Sequence, residues 1–337
     1  MSGIAILGAG SWGTTLGDLL ARRSEGGKSG RVRIWAYEPE VVEAINRDHE
    51  NPLYLPGAAL APELRAVADA EEAVREAAVV VSAAPSHVVR GVAEQARRGV
   101  RPGSLVVSVT KGIEPESLKL MTQVLGEVLP GTRIAALSGP SFAQEVYHGQ
   151  PTAVVAAAAE QGDALEVQRA FATPRFRVYW HRDVVGVELA GALKNVIAIA
   201  AGMLEGLGLG NNPRAALITR GLAEISRLGV AMGADPLTFA GLAGMGDLIL
   251  TTCGQLSRNR SLGVALAQGQ TLEQYTAAHR SIAEGVTTAR SARALAERVG
   301  VELPICDQVC RILFEGRKPA QAVTDLMERA LKSEQWR

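Results

Sequence analysis

Residues 188–207 read ELAGALKNVIAIAAGMLEGL, an almost unbroken apolar run that is interrupted near its N-terminal third by Lys194 and Asn195. The run has no proline and is apolar on every face, which predicts a long helix packed on all sides. A lysine within such a helix must find a carboxylate or an anion, or lose its proton, because an unpaired buried charge costs several kcal/mol. Lys194 is therefore either a side chain that reaches solvent from a partly exposed face or a functional group. A membrane span is not expected, since the uncharged part is too short.

The composition is that of a globular protein with room for two domains, since 47% of its 337 residues are apolar and 21% are charged. Lys plus Arg (35) equals Asp plus Glu (35), so no basic excess indicates a nucleic acid or an anionic membrane as partner. Three cysteines are too few for a disulfide framework, and Cys306 and Cys310 are expected to share one helix. Because Met1 leads into an apolar run without a basic leader, we predict a cytoplasmic protein.

A glycine-rich turn follows the first apolar run. Residues 4–7 are apolar, the next six are Gly8-Ala9-Gly10-Ser11-Trp12-Gly13, and residues 14–23 have a helical pattern. In this spacing the first glycine makes the tight turn, the second lets the backbone approach a pyrophosphate, and the third permits close packing of helix and strand. The helix N-terminus then receives the negative charge. We predict a site for a nicotinamide dinucleotide.

The residue after the second strand, predicted at residues 31–36, normally addresses the adenosine ribose. The candidates are Tyr37 and Glu38. An acid at this place favours NAD, whereas Arg33 would suit the 2′-phosphate of NADP if its side chain faced the site. The expected cofactor is therefore NAD or NADP.

Apolar strands and helical patterns alternate through the first half of the chain, which predicts a doubly wound parallel sheet, the Rossmann arrangement, over residues 1–180. Further strands are predicted at 78–82, 105–108 and 134–137, with edge strands at 153–157 and 175–179 and helices at 88–98 and 117–129. In such sheets ligands bind beyond the carboxyl ends of the strands. The residues delivered there are 84–86, 110–112 and 138–141.

The second half, residues 181–337, is predicted to be an all-α domain, because the strand signal disappears after His181. The predicted helices cover 186–207, 213–232, 246–252, 258–267, 287–299, 305–314 and 320–331.

Three places outside the glycine turn carry groups suited to chemistry. Lys111, just past an internal strand, can meet an anion or oxygen of a substrate. Asp247 ends a stretch of small residues that suits close packing beside a ligand, although an aspartate there could also be a helix cap. Ser257 and Arg258 begin a helix with a capping hydroxyl and a guanidinium, and helix N–H groups with an arginine fork suit a phosphate monoester. The histidines have no metal-ligand spacing, and His87 has no carboxylate to orient it.

Six segments, in the same order, closely resemble the bacterial NAD(P)-dependent glycerol-3-phosphate dehydrogenases, and the resemblance runs from the first strand to about residue 315. They are GAGSWGTTL from residue 8, SVTKGIE from 108, SGPSFAQE from 138, ELAGALKNVIAIAAGM from 188, GLAGMGDLILT from 241 and SRNRSLG from 257. The resemblance implies reversible reduction of dihydroxyacetone phosphate to sn-glycerol 3-phosphate, the precursor of glycerophospholipid backbones.

The resemblance also implies roles for single residues. Lys194 matches the proton donor and acceptor, and we group Lys111 and Asp247 with it as catalytic residues. The expected cofactor contacts are Gly8, Gly10, Ser11, Trp12, Gly13, Tyr37, Lys111, Ala143, Arg258, Ile282 and Glu284. The expected substrate contacts are Lys111, Gly139, Ser141, Lys194, Asp247, Ser257, Arg258 and Asn259. Two departures are visible: Tyr37 stands where many relatives have His or Arg, and Ile282 where valine is frequent.

The residues make physical sense of that reaction, since an acid that protonates the ketone oxygen lowers the barrier to hydride transfer. Burial should lower the pKa of Lys194 and a neighbouring Asp247 should raise it, and the sequence does not decide which prevails. Two other readings remain. One is a related lysine-dependent dehydrogenase of a hydroxy acid, of the hydroxyisobutyrate or phosphogluconate type. The other is a dinucleotide-sensing or scaffold protein without turnover. The expected partners are a small phosphorylated substrate and a second copy of the chain, since the apolar helical half favours a homodimer; no sequence feature fixes the interface.

Overall fold

An eight-stranded sheet organises the first half of the chain in the computed structural model, which describes residues 3–24, 31–279, 283–331 and 333–334. The strand order is β3-β2-β1-β4-β5-β6-β7-β8, and all neighbours are parallel except β6 and β7. The strands are β1 Gly3–Leu7, β2 Val32–Trp35, β3 Leu64–Val67, β4 Ala77–Ser82, β5 Leu105–Ser108, β6 Arg133–Ser138, β7 Thr152–Ala157 and β8 Phe176–His181. The predicted doubly wound Rossmann sheet is confirmed.

Helices cover both faces of this sheet, and side chains of each strand alternate between the two layers. In β1, Ile4 and Ile6 belong to the core on one face, and Ala5 and Leu7 to the core on the other. Burial on both faces explains why the strands read as short continuous apolar runs. The helices of this half are α1 Ser11–Ser24, α2 Pro39–Asp48, α3 Ala70–Val74, α4 Val89–Ala96, α5 Met121–Val128, α6 Ala143–Tyr147 and α7 Gln161–Phe171.

The predicted apolar helix is α8, Val184–Gly206, and it forms the centre of the helical half. Every residue from 186 to 204 is buried, and helices α9, α10, α11, α13 and α14 pack around it. The helices of this half are α9 Asn211–Ala231, α10 Asp247–Cys253, α11 Arg258–Ala267, α12 Leu272–Ala278, α13 Glu284–Val299, α14 Pro304–Phe314 and α15 Pro319–Met327. Cys306 and Cys310 share α14, as predicted.

Among the described residues, α8 alone is long and apolar enough to cross a membrane by length and composition. Its apolar surface is instead covered by its own protein, because nearly all of it is buried between other helices. It is the core helix of the second half.

Glycines bring α8 and α11 into backbone contact. A Cβ on Gly202 would lie 1.9 Å from the carbonyl oxygen of Arg260, and a Cβ on Gly263 would lie 2.0 Å from that of Ile199. No larger residue fits at either place without moving a helix. This contact sets the distance between the N-terminus of α11 and the middle of α8.

The loop between β5 and α5 and the start of α5 tie the helical half to the sheet half. Ile113 and Leu120, in the loop between β5 and α5, are buried in the core of the helical half. Glu188 of α8 accepts hydrogen bonds from the Thr122 backbone N–H, at 3.0 Å, and from the Thr122 hydroxyl, and so caps the N-terminus of α5. The loop that carries Lys111 is therefore held between the two halves.

Several elements differ from the sequence prediction. Strand β3 and helices α2, α3, α6, α7 and α12 were not predicted, and β7 is an internal strand that runs antiparallel to β6. The predicted helix 117–129 begins only at Met121, because residues before it form a loop in which Leu118 adopts a φ of 58°. The predicted helix 320–331 ends at Met327, and that at 287–299 begins at Glu284.

Candidate active site

A cleft of about 940 Å³ lies between the carboxyl ends of the sheet strands and helices α8, α10, α11 and α13. This volume suits a small-molecule or cofactor site. The loops after β1, β2, β4, β5 and β6 form one wall, which places the cleft where the doubly wound sheet predicts it.

The glycine turn has the geometry that a dinucleotide requires. Gly8 has a φ of +122°, and a Cβ on it would lie 2.9 Å from the Ala83 backbone; a Cβ on Gly13 would lie 1.9 Å from the Gly8 carbonyl oxygen. Gly10 differs, because a Cβ there would meet no heavy atom within 4 Å. Its open side faces the cleft, and α1 begins at the next residue. The turn therefore leaves room for a pyrophosphate at a helix N-terminus.

Two lysines share one buried carboxylate at the other end of the cleft. The Lys194 Nζ donates to Asp247 Oδ1 and to Thr251 Oγ1, each at 2.6 Å. The Lys111 Nζ donates to Asp247 Oδ2, at 2.6 Å, and to the Gly139 carbonyl oxygen, at 3.0 Å. Asp247 is fully buried, whereas both lysines line the cleft. Of the two alternatives that the sequence left for Lys194, the structure excludes a side chain that reaches bulk solvent, because the buried ammonium pairs with Asp247.

Burial prevails over the ion pair in setting the protonation of Lys194. Removal from water lowers the pKa of the Lys194 ammonium to about 7, the attraction of Asp247 offsets part of that effect, and the nearby Lys111 charge adds to it. An amine with a pKa near neutrality can both give and take a proton at the pH of a cell.

Helix α10 presents Asp247 and Thr251 on one face, since they are one turn apart. A π-helix at Leu242–Gly246 leads directly into α10, and π-helical turns are frequent at functional sites. Thr251 was not among the predicted site residues. Thr251 follows Asp247 by four residues in GLAGMGDLILT, which places both on one face of a helix, and this spacing could have identified it.

Helix α11 directs its N-terminus into the cleft. Ser257 caps it, accepting the Arg260 N–H at 3.2 Å, and Arg258 follows on the cleft wall. Asn259 Oδ1 accepts the Gly285 N–H and its Nδ2 donates to Asn195 Oδ1, each at 3.0 Å. Asn259 thus joins α11 to α8 and α13, and Asn195 is a second cleft residue that the sequence prediction omitted.

The structure brings most of the predicted site residues to this one cleft. Ser11, Trp12, Tyr37, Ser141, Ala143 and Glu284 line it together with the residues above. Three of the predicted residues do not line the cleft but lie next to residues that do: Gly13, Gly139 and Asp247. Asp247 and the Gly139 carbonyl oxygen accept hydrogen bonds from Lys111. Ile282 lies outside the described residues.

Glu284, at the start of α13, has a carboxyl group whose pKa is raised to about 7, chiefly because it is buried. Its Oε2 has no hydrogen-bond partner in the described part of the chain, although the residue lines the cleft. A buried polar atom without a partner costs free energy. A ligand amide or hydroxyl that donates to this oxygen would satisfy it, so the residue fits a bound dinucleotide.

Arg33, the residue that left NADP open, does not line the cleft. Its guanidinium donates to the Glu72 carbonyl oxygen, at 3.1 Å, and pairs with Glu76, at 3.2 Å. Arg33 lies within β2, before the carboxyl end of the strand, so its side chain packs beside the sheet and not in the cleft.

Comparison with known proteins agrees with this geometry. Residues 3–164 match the family described as NAD-dependent glycerol-3-phosphate dehydrogenase N-terminus, and residues 183–324 match the C-terminus of the same family. A protein of Geobacter sulfurreducens named glycerol-3-phosphate dehydrogenase [NAD(P)+] is 54% identical over 336 residues, covering 99% of both chains. One of Anaeromyxobacter dehalogenans with the same name is 51% identical over 332 residues, covering 98% of each.

A solved structure shows the same fold. The crystal structure of glycerol-3-phosphate dehydrogenase from Coxiella burnetii superposes with a TM-score of 0.92 at 38% identity, covering 97% of this chain and 99% of that one. The sheet, the lysine-bearing core helix and the family matches together lead to one conclusion. The chain belongs to the NAD-dependent glycerol-3-phosphate dehydrogenase family and is an oxidoreductase that uses NAD or NADP.

Proposed function

We propose that this enzyme reduces dihydroxyacetone phosphate to sn-glycerol 3-phosphate, reversibly, with Lys194 as the general acid and base, and so supplies the backbone of glycerophospholipids. The observation that carries this proposal is the buried Lys194 ammonium, paired with Asp247 and exposed to the cleft on the same wall as Arg258. A proton donor and an anchor for a phosphate thus face one space.

In the reduction, the bound dinucleotide supplies the hydride. Negative charge grows on the ketone oxygen as the carbonyl is reduced, and Lys194 gives that oxygen its proton. A positioned acid of this kind contributes about 10²–10⁴-fold to a rate. Asp247 and Thr251 hold the Lys194 amine in place, and Lys111 adds a second positive charge beside the developing negative one. In the oxidation, neutral Lys194 takes the proton of the hydroxyl group.

The phosphate of the substrate is the part that orients it. Arg258 offers a planar fork of donors, and the first turn of α11 adds backbone N–H groups and a favourable dipole. Binding energy from this remote group aligns the small ketone, so that phosphate recognition increases the rate of the chemical step as well as the affinity. We assign the substrate contacts to Lys111, Ser141, Lys194, Ser257, Arg258 and Asn259, with Gly139 and Asp247 acting through the lysines.

Three further assignments belong to this proposal. Residues 1–180 hold the dinucleotide and residues 181–337 complete the substrate site, a division supported by the end of β8 at His181 and the start of α8 at Val184. The enzyme works in the cytoplasm, in keeping with its free cysteines. It acts as a homodimer, an assembly that the apolar helical half favours.

The test is the Lys194→Ala variant, assayed by cofactor absorbance with dihydroxyacetone phosphate. We expect kcat to fall about 10²-fold or more, while dinucleotide binding stays unchanged. Lys318→Ala, at an exposed lysine, is the matched control and should keep full activity.

Undiminished turnover by Lys194→Ala would remove the lysine from the mechanism. A substrate panel completes the experiment. Turnover of hydroxy acids in preference to dihydroxyacetone phosphate would instead identify a hydroxy-acid dehydrogenase, and dinucleotide binding without any turnover would identify a sensor.

A further inference from the structure

We propose that Arg260 is a positioning residue of the phosphate site: it is held by Glu205, and it fixes the turn between α10 and α11 that carries Arg258. The inference deepens the proposed function and rests on it, since it concerns how the phosphate of the substrate is recognised. Arg260 was not among the predicted site residues, although it belongs to the segment SRNRSLG.

Arg260 lies behind the cleft wall and not on it. Residues 256–259 line the cleft, whereas Arg260, the next residue, is not one of the described residues that do so. Only 12% of its side chain is exposed. An effect of Arg260 on the reaction must therefore pass through the residues that it holds.

The backbone and the side chain of Arg260 both close the turn between α10 and α11. Its backbone N–H donates to the Ser257 hydroxyl, at 3.2 Å, and its guanidinium Nε donates to the Gly254 carbonyl oxygen, at 3.1 Å. The Ser257 N–H donates to the same carbonyl oxygen, at 3.2 Å. Arg258 lies within this closed turn, so the turn sets the place from which its side chain leaves the backbone.

The sheet half supports the same turn from the other side. A Cβ on Gly254 would lie 2.5 Å from Cε2 of Phe142, so the Phe142 ring packs directly against the backbone there. Phe142 follows Ser141, and both line the cleft. Gly254 is thus held between the Phe142 ring and the Arg260 guanidinium, and a shift of the turn would move Arg258 relative to Ser141.

Glu205 keeps the Arg260 guanidinium in one orientation. The Glu205 carboxylate pairs with Nη1 of Arg260 and, at 3.4 Å, with Arg214 of α9. Hydrogen bonds between charged groups are the stronger ones, and the rigid fork of a guanidinium can serve Glu205 and Gly254 together. Without the carboxylate, the long Arg260 side chain would gain the freedom to turn away from Gly254.

Glu205 also connects the phosphate site to the proton donor, because it lies on α8 with Lys194. The next residue, Gly206, keeps the end of α8 against α11, since a Cβ there would lie 2.7 Å from the Val264 carbonyl oxygen. One helix therefore carries the lysine that faces the ketone and the carboxylate that, through Arg260, places the arginine for the phosphate. Helix α8 thus sets the separation of the two groups.

The experiment compares kcat/KM for dihydroxyacetone phosphate with kcat/KM for plain dihydroxyacetone, in the full chain at a saturating dinucleotide concentration. We expect Arg260→Gln to lower the first value about tenfold or more and to leave the second unchanged, because only the phosphorylated ketone uses Arg258. Arg260→Lys keeps the charge but not the fork, so its loss should be smaller and confined to the same substrate.

Two further variants separate positioning from stability. Glu205→Gln keeps the shape of a partly exposed side chain, and it should lower the ratio of the two values in the same direction as Arg260→Gln. Arg214→Gln is the matched control, because it removes the second guanidinium that pairs with Glu205 and leaves the bond from Arg260 to Gly254 in place. Its ratio should equal that of the parent enzyme.

Thermal unfolding shows which variants are folded, and the ratio in the folded variants of Arg260 and Glu205 decides the question. An unchanged ratio, which includes an equal loss for both ketones, would overturn the inference while the proposed reaction stands. A parent enzyme that does not prefer the phosphorylated ketone would contradict the proposed reaction, and the inference would fall with it.

Discussion

The two ends of the cleft differ in both charge and construction. The end beside the glycine turn, where we propose that the adenosine binds, has the Glu38 carboxylate next to a turn whose shape depends on backbone geometry. We call it the adenosine end, and we call the end that holds Lys194 the substrate end.

The substrate end has the basic side chains of Lys111, Lys194 and Arg258, and the two lysines are held by the buried Asp247. The buried Glu284 carboxyl lies near these three side chains. The basic side chains of the substrate end suit an anionic ligand such as a phosphate monoester. The contrast teaches that the two ends of one cleft can offer different charges and different kinds of construction to the parts of its ligands.

The two ends of the cleft also differ in the interactions that hold their residues in position. The glycine turn depends on steric fit between adjacent backbone segments, whereas the substrate end depends on ion pairs and on the contact between α8 and α11. Changes at the substrate end should therefore reduce turnover strongly. Changes at the adenosine end should alter the affinity for the dinucleotide more than the rate of the chemical step.

The largest effect is expected from Asp247→Asn. Without the carboxylate, the attraction that raises the pKa of Lys194 is lost while burial and Lys111 still lower it, so the amine is mostly neutral at pH 7. We expect kcat for the reduction to fall about 10²-fold or more, and part of the activity to return below pH 7.

Asp163→Asn is the control, because it removes an ion pair with Arg133 far from the cleft. It should keep full kcat. If Asp247→Asn matched this control in kcat and in pH dependence, the lysine pair would have no part in the reaction.

A smaller effect is expected from Gly263→Ala, which breaks the close contact between α11 and α8. The added methyl group would lie about 2.0 Å from the Ile199 carbonyl oxygen, so α11 must move and carry Arg258 with it. The cost in stability should be about 1–3 kcal/mol, as for overpacked cores. KM for dihydroxyacetone phosphate should rise several-fold more than KM for the dinucleotide.

Gly162→Ala on α7 is matched in chemistry, and its Cβ would meet no heavy atom within 4 Å. It should leave both KM values unchanged and stabilise slightly. Equal KM values for the substrate in the Gly263 variant and the parent would show that the helix contact does not position the phosphate site.

The same contrast explains how much the sequence could predict. The glycine turn and β1 are consecutive in sequence, and strands such as β5 are continuous apolar runs between polar residues, so both were identified from local pattern. Helix α11 was predicted with its observed bounds, because a capping serine marks its start. Strand β3 has only four residues, one of them Arg65 exposed on an otherwise buried strand, and gave no such signal.

The substrate end could not be derived from local pattern. Lys111, Lys194 and Asp247 lie on separate elements, and only the folded chain brings their charges within 2.6 Å. The resemblance to the dehydrogenase family supplied these residues, but neither it nor the periodicity indicated whether burial or Asp247 sets the pKa of Lys194. The antiparallel direction of β7 and the role of Thr251 likewise depend on tertiary contacts.

The central claim is that Lys194 passes the proton, and the pH dependence of kcat/KM in both directions tests it most directly. Since burial lowers the pKa of Lys194 from 10.5 to about 7, the amine is charged below that pH and neutral above it. Reduction needs the charged form, so its kcat/KM should fall as pH rises through about 7. Oxidation needs the neutral form and should rise over the same range.

Two controls assign this change to the lysine. Plain dihydroxyacetone has no phosphate to titrate, so its reduction should show the same fall. Glu284→Gln removes the other cleft group with a pKa near 7 and should keep the fall. The ratio of the two directions must change with pH in any variant, because the reduction consumes a proton, but the account predicts that Lys194→Ala loses the inflection of kcat/KM near pH 7. Its persistence in that variant, at any residual rate, would contradict the account.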